Sequence, residues 1–556
     1  MQLMPQKSNL RIVGEMATVF GVCLLLFFYG LGSFGLVGAD EPRYAQIARE
    51  MLRNRDYVTP TLHGLPWLEK PALYYWRAAA AFHTFGVHDW AARLPSATFA
   101  LALVAIVYFH MRRFRPGAEF GAAIITAASA AIIGFSRGAS TDMQLAAPFA
   151  FAMLGWYAWF ETGSKFWLFD LYFFIGIGTL AKGPVAPGLA FLIVLIFAGL
   201  RRDWRLVLRS WWWPGAIIYF AIVLPWYIAV QRANHEFFKV FILQHNLERF
   251  ATDLFQHRQP FWYYVPVLLL SLLPWTIYAI TALVSGVRQT WSDWRSSAPG
   301  VVRESERTGD GFPEFLVIWA LLPVIFFSFS QSKLPGYILP AIPPCTILTG
   351  DYLYRRRNRE LRRGLLFGHA LLTGLLLASV LLIPYLVLDL RVVPPAHSIA
   401  LAVCAAIAVF CFIFFPSRRL GPNMLLWTTV VPIALGVFFL LHYSGRALGE
   451  AYSSRQVASF IEQIEHGDLH VASEPVAVFR TRRDVEYGLG FYLDEKVDRY
   501  ERGEIPKTAH ILVARSGEEQ QIAKLLGPDR HLVPLGSPFR DPQNPQELEV
   551  FAVTAA

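Results

Sequence analysis

The chain has 556 residues, 55% of them hydrophobic and only 16% charged, with 17 Trp and 44 Phe. Soluble domains sit nearer a quarter charged, so this composition excludes a water-soluble fold and points to lipid as the solvent. The net charge of +9 does not mark a nucleic-acid binder, because the arginines gather between apolar runs, where they set topology.

A bilayer core takes roughly 20 apolar residues as helix, and about thirteen such runs follow in chain order. They are Met16–Phe34, Leu94–His110, Phe120–Phe135, Met143–Phe160, Phe166–Ala181, Val185–Leu200 and Trp211–Val230. Then come Phe261–Val284, Phe315–Ser330, Gly336–Leu353, Leu365–Leu388, Ser398–Phe415 and Met424–Tyr443. Lys7 and Arg11 precede the first run as they would a signal peptide. That run is too long for an h-region and has no small-residue cleavage site, so it reads as a retained helix. Cys23, Cys345, Cys404 and Cys411 all fall inside apolar runs. No disulfide framework or cysteine-rich metal motif is readable from them.

The arginines give orientation. Arg112, Arg113 and Arg115 share one side with Arg201, Arg202, Arg205 and Arg209 if about thirteen spans alternate from a cytoplasmic N-terminus. Arg355, Arg356, Arg357, Arg359, Arg362, Arg363, Arg418 and Arg419 fall there too. The opposite, outer side then receives a polar loop at 37–90, the 136–142, 182–184 and 331–335 turns, residues 231–260, and everything from Ser444 onward. The expected fold is therefore an all-α polytopic domain over 1–443, followed by a periplasmic α/β domain over 444–556. Helix-like Gln456–Ile464 and Glu518–Leu526 alternate there with strand-like Pro475–Phe479, His510–Ala514 and Glu547–Val553.

The loop at 37–90 opens on adjacent carboxylates, Asp40 and Glu41. Pro42 in a first turn and the spacing of Tyr44, Ile47, Ala48, Met51 and Leu52 predict an amphipathic helix lying at the interface. A second follows Pro71, with Leu73, Tyr74, Trp76 and Phe82 placed to touch lipid. A third acid, Asp142, lies in a turn between two apolar runs, where ionisable groups are costly and more often functional than decorative. Lys182, Arg249, His257, Arg258 and Lys333 lie near span ends on the same side. Each alone reads as an interface anchor that snorkels to headgroups; as a set they suggest one interfacial cavity.

Together these residues resemble a family. Gly38-Ala39-Asp40-Glu41-Pro42-Arg43-Tyr44-Ala45 is similar to the first-loop acidic signature of the GT-C superfamily of polyprenyl-phosphate-sugar-dependent glycosyltransferases. Glu69-Lys70-Pro71-Ala72-Leu73-Tyr74-Tyr75-Trp76 and Ala92-Arg93-Leu94-Pro95-Ser96 resemble its continuation, and Ser136 through Gln144 its second acidic loop. Lys182-Gly183-Pro184, His245 through Phe250, His257 through Tyr264, and Ser332 through Tyr337 look most like the lipid A aminoarabinose transferases. The resemblance covers about residues 15 to 443 and implies transfer of 4-amino-4-deoxy-L-arabinose from undecaprenyl phosphate to lipid A phosphates. It places that reaction at the periplasmic face of a Gram-negative inner membrane, carried out by a monomer that confers resistance to polymyxin.

The implied chemistry assigns residues. A glycosyl phosphodiester donor releases a lipid phosphate without protonation, so cations around the growing charge should assist. Lys70, Arg249, Arg258 and Lys333 suit that role, with Tyr337 beside them. Asp40, Asp142 and Glu41 are the expected catalytic acids, and Tyr44, Tyr74 and Lys182 the expected positioning groups. An alcohol acceptor needs a general base; a lipid A phosphate needs none, and the acids would then orient the sugar, for instance through its 4-ammonium group. Glu69 and His257 are a carboxylate and an imidazole compatible with Zn²⁺, though two ligands make no metal motif. No Gly-rich phosphate loop appears, so no nucleotide cofactor is expected. Two rivals stay open: a protein O-mannosyltransferase-like enzyme with a hydroxyl acceptor, and a polytopic lipid transporter. Transporters keep their sites near the bilayer midplane, whereas these ionisable groups cluster on one face.

Overall fold

The computed structural model describes residues 9–248, 258–296, 311–388, 395–443, 445–466, 474–540 and 547–555. Among them six helices are long and apolar enough to cross a membrane, and two bent helix pairs would raise the number to eight. The six are Asn9–Phe28, Asp89–Phe114, Trp213–Ala233, Arg363–Ile383, Ala396–Leu420 and Pro422–Tyr443. The chain is a multi-pass membrane protein.

Three expected runs are not single straight helices. Phe120–Phe135 divides into Glu119–Ala127 and Ala130–Ser136, bent by 59°. Ser129 lies at the break, its hydroxyl donating to the Ile125 carbonyl at 2.7 Å, a local bond that competes with the helix ladder. Phe261–Val284 is broken by 118°, where Pro274 separates Tyr264–Ser271 from Thr276–Ser296 and supplies no backbone N–H. Gly336–Leu353 opens as a 3₁₀ turn, Pro335–Ala341, and becomes α-helical only over Ile342–Tyr354. Pro335, Pro340, Pro343 and Pro344 account for that.

The carboxy-terminal unit holds a six-stranded mixed sheet. Its path runs Asp498–Arg499, Val476–Phe479, His510–Arg515, Glu547–Ala555, Arg530–Pro534, with Phe539–Arg540 also paired to Glu547–Ala555. Val476–Phe479 is parallel to both neighbours and buried along its whole length, as an all-apolar central strand should be. Helices Arg455–His466, Arg483–Tyr492 and Glu519–Leu526 flank it. The first and third fall where helices are expected; Arg483–Tyr492 and Arg530–Pro534 are additions to the sequence reading.

That unit sits directly on the loop at 37–90. Asp494 accepts from Arg53 and from Gln46 at 3.3 Å, and pairs with Arg49 at 3.0 Å. Asp89 pairs with Arg455 at 2.9 Å and accepts from the Tyr492 hydroxyl at 2.8 Å. The two loop helices, Asp40–Asn54 and Leu73–Phe85, were expected to lay their apolar faces on lipid. They bury them on each other instead: Tyr44, Ile47, Ala48 and Met51 share one apolar core with Tyr74, Ala78, Phe82 and Phe491. Protein covers those faces because Arg483–Tyr492 docks against Asp40–Asn54, an element the loop's own periodicity does not reveal.

Candidate functional site

Successive helical residues point about 100° apart, so the two acids at the start of Asp40–Asn54 part company. Asp40 turns outward, its side chain 59% exposed, and pairs with Arg43 one turn on. Glu41 turns inward and meets four donors. They are the Val37 N–H at 2.8 Å, the Ala139 N–H at 2.7 Å, and Arg93 Nε and Nη2 at 3.3 and 2.7 Å. Arg93, 1% exposed, also donates to the carbonyls of Leu31, Phe34 and Gly35. Arg137 does the same for Leu26 and Gly30. These two arginines satisfy carbonyls that the end of the first span leaves without helical partners. Glu41 therefore ties the first acidic loop to the second, and Asp40 and Asp142 emerge at the same end of the bundle.

Asp142 begins the helix Asp142–Thr162 and pairs with Lys182 Nζ at 2.5 Å. Lys182 ends the helix Phe166–Lys182 and lies 5.4 Å from the centre of the Tyr337 ring. Gly336 presses so closely that a Cβ there would stand 2.2 Å from Asp142 Oδ1. Asp142, Lys182 and Tyr337, far apart in sequence, thus form one cluster. Beside Tyr337 in the chain, Lys333 is buried and donates to the carbonyls of Ser330 at 2.5 Å and Gln259 at 3.1 Å. Burial, then the nearby Arg258, hold its ammonium below the usual lysine range. Lys333 so joins the 331–335 turn to the segment carrying Arg258, whose side chain is exposed.

Other expected residues go elsewhere. Tyr44 and Tyr74 are not at a substrate surface: their rings lie 5.9 Å apart inside the loop's core, and the Tyr74 hydroxyl donates to the Ala92 carbonyl at 2.9 Å. Burial pushes both phenols well above the ordinary tyrosine range, so neither is poised to exchange a proton. Lys70 is half-buried in the bend before Leu73–Phe85. Arg249 and His257 lie outside the described residues. Glu69 faces His245, with Oε1 and Nε2 3.8 Å apart. That is an ion-pair spacing, about half an ångström wider than two ligands of one tetrahedral zinc would stand. No group of three or more potential ligands forms among the described residues, and no step is assigned to a metal.

Three residues matter more here than the sequence reading allowed. Arg43 is recoverable from its i, i+3 relation to Asp40. His245 stands in the quoted run before Arg249. Arg93 reads as one charge among apolar neighbours, and nothing local foretells a partner at Glu41.

A family model for dolichyl-phosphate-mannose-protein mannosyltransferase matches residues 16–242. An undecaprenyl phosphate-alpha-4-amino-4-deoxy-L-arabinose arabinosyl transferase of Pseudomonas aeruginosa is 33% identical over 377 residues, 65% of this chain and 64% of its own length. The chain thus matches a little under two thirds of that relative. An arabinosyl transferase 1 of the same description from Pseudomonas fluorescens is 28% identical over 500 residues, 84% of this chain and 85% of its own. The crystal structure of ArnT from Cupriavidus metallidurans bound to undecaprenyl phosphate superposes with a TM-score of 0.74 at 22% identity, over 97% of this chain and 98% of that one. The apo structure of the same protein gives 0.75 over 98% of both chains. At that identity the likeness establishes the fold.

Proposed function

We propose that the chain is a GT-C-type glycosyltransferase like the undecaprenyl phosphate-aminoarabinose arabinosyl transferases it resembles, and that it transfers 4-amino-4-deoxy-L-arabinose from undecaprenyl phosphate to lipid A phosphates. The reaction takes place at the periplasmic face of an inner membrane. About thirteen spans carry it, with the N-terminus cytoplasmic and the unit from 444 onward periplasmic. The protein acts as a monomer.

The observation that carries this reading is the pairing of each outer acid with a cation at one end of the bundle: Asp40 with Arg43 and Asp142 with Lys182. A departing lipid phosphate gains negative charge as the glycosidic bond breaks, and fixed cations stabilise it without reorganising. Lys70, Lys333, Arg249 and Arg258 serve that purpose, and Lys182 holds Asp142 toward the sugar. An acceptor phosphate attacks as an anion and needs no base. Asp40 and Asp142 therefore orient the donor sugar and its 4-ammonium group, and a single displacement inverts the anomeric carbon. Glu41 contributes by holding the two acidic loops together.

The mannosyltransferase match over 16–242 favours one other reading, a hydroxyl acceptor, for which Asp40 would act as general base. Expression in a strain lacking aminoarabinose transfer separates them. Lipid A should gain the mass of one or two aminoarabinose groups; an unchanged lipid A mass together with a newly glycosylated protein or polysaccharide would transfer the assignment to the second reading.

A further inference from the structure

Arg43 is held in an unusual way. Its guanidinium meets one carboxylate, Asp40, and three aromatic rings: Trp67 at 4.8 Å, Tyr44 at 5.3 Å and Tyr487 at 5.4 Å. Its Nε is buried with no hydrogen-bond partner among the described residues, and Glu69 is near enough to act on it electrostatically. An arginine fixed by a network of hydrogen bonds keeps its place when one neighbour is lost. One fixed by ring faces and a single exposed acid does not, because guanidinium stacking supplies most of its restraint. Two of the rings come from the 37–90 loop. The third, Tyr487, comes from the helix Arg483–Tyr492 of the carboxy-terminal unit, more than 400 residues away in the chain.

We propose that Tyr487 is a positioning residue of the transfer site: its ring closes an aromatic cage that keeps Arg43 on Asp40, so the carboxy-terminal unit completes a site otherwise built by the bundle and its first loop. This rests on the function proposed above. The unit's sheet supplies the docking, through Asp494 to Arg49 and Arg53 and through Arg455 to Asp89. Tyr487 supplies the contact that reaches the acid.

The test uses the purified full-length chain with undecaprenyl phosphate-linked aminoarabinose and lipid A, comparing Tyr487→Phe, Tyr487→Leu and Arg43→Lys. Tyr487→Phe keeps the ring and should stay within about twofold of wild type in kcat. Tyr487→Leu keeps apolar bulk without the ring's quadrupole. It should lose about 3- to 30-fold in kcat, the span of a cation–π contact from exposed to desolvated, with the donor KM and the melting temperature little changed. Combining Tyr487→Leu with Arg43→Lys should cost less than the product of the single losses, because both act on one group. Equal activity of the Phe and Leu variants, or losses that simply multiply, overturns the cage. A wild-type chain that transfers nothing sinks the functional reading itself, and is told apart from failure of the cage because there the wild type is active.

Discussion

Glu41→Gln is the perturbation that best separates framework from chemistry at this site. The wild-type carboxylate accepts from Val37, Ala139 and two nitrogens of Arg93. Glutamine offers one oxygen and turns an NH₂ toward at least one of those donors. Two charge-assisted bonds at about 1.5–3 kcal/mol each are then lost or weakened. An almost wholly buried Arg93 is left without its counter-charge, a loss worth about 3–5 kcal/mol when one member of a buried pair is removed. Arg93 keeps its bonds to Leu31, Phe34 and Gly35, so the lower end, about 3 kcal/mol, is the better expectation. Arg93→Met should cost at least as much, since it also strips those carbonyls. The assay is the apparent melting temperature in detergent at one fixed scan rate, which compares variants fairly where unfolding is irreversible. Activity should fall in step with the folded fraction. Glu41→Gln that melts like wild type yet has lost transfer would falsify this account and return Glu41 to the reacting groups.

The remaining expectations concern separate parts of the molecule. Asp142→Asn and Lys182→Met should each cut transfer about 100-fold or more, and the double variant should be little worse than either, because paired groups act as a unit; multiplying losses in a gel assay of lipid A would separate their roles. Gly336→Ala places a methyl where Asp142 Oδ1 now stands at 2.2 Å, so it should displace Asp142 and depress activity, and a fully active variant would contradict the packing. In the carboxy-terminal unit, burial and then Glu465 and Asp498 push Glu495 from 4.5 up to about 7. The folded unit thus binds this proton more tightly, and the stability it adds is present below pH 4.5 and lost as pH rises through about 7. Hydrogen exchange along His510–Arg515 should show that decline, and Glu495→Gln should remove it. A topology reporter fused after Arg363 should act in the cytoplasm and one after Ser444 in the periplasm.

How much of this was legible depended on how far the decisive partner lay from the residue. The apolar runs follow from composition within a window, and they fall largely on helix, though the first is helical only to Phe28; the breaks at Ser129 and Pro274 turn on single residues that mean hydropathy averages away. The acids could be picked out by where they stood, next to span ends. Which of two neighbouring carboxylates faces outward follows from helix phase plus a burial that Arg93, 52 residues on, and the Ala139 N–H, 98 residues on, compensate. The aromatic residues show the same limit more sharply. The spacing of Tyr44, Ile47, Ala48 and Met51 correctly gives one apolar face, and periodicity can say no more than that a face exists. Lipid was the nearest available cover in a membrane protein, whereas the real cover is the second loop helix and a helix beginning at Arg483. Tyr44 and Tyr74 accordingly went from expected substrate contacts to core. Arg43, which the sequence offers only as one member of the first acidic run, stacks on Tyr487 of the distant unit. A face whose pattern is complete but whose partner is unnamed is therefore the place where a sequence reading of a membrane enzyme should look for a second domain before assuming lipid.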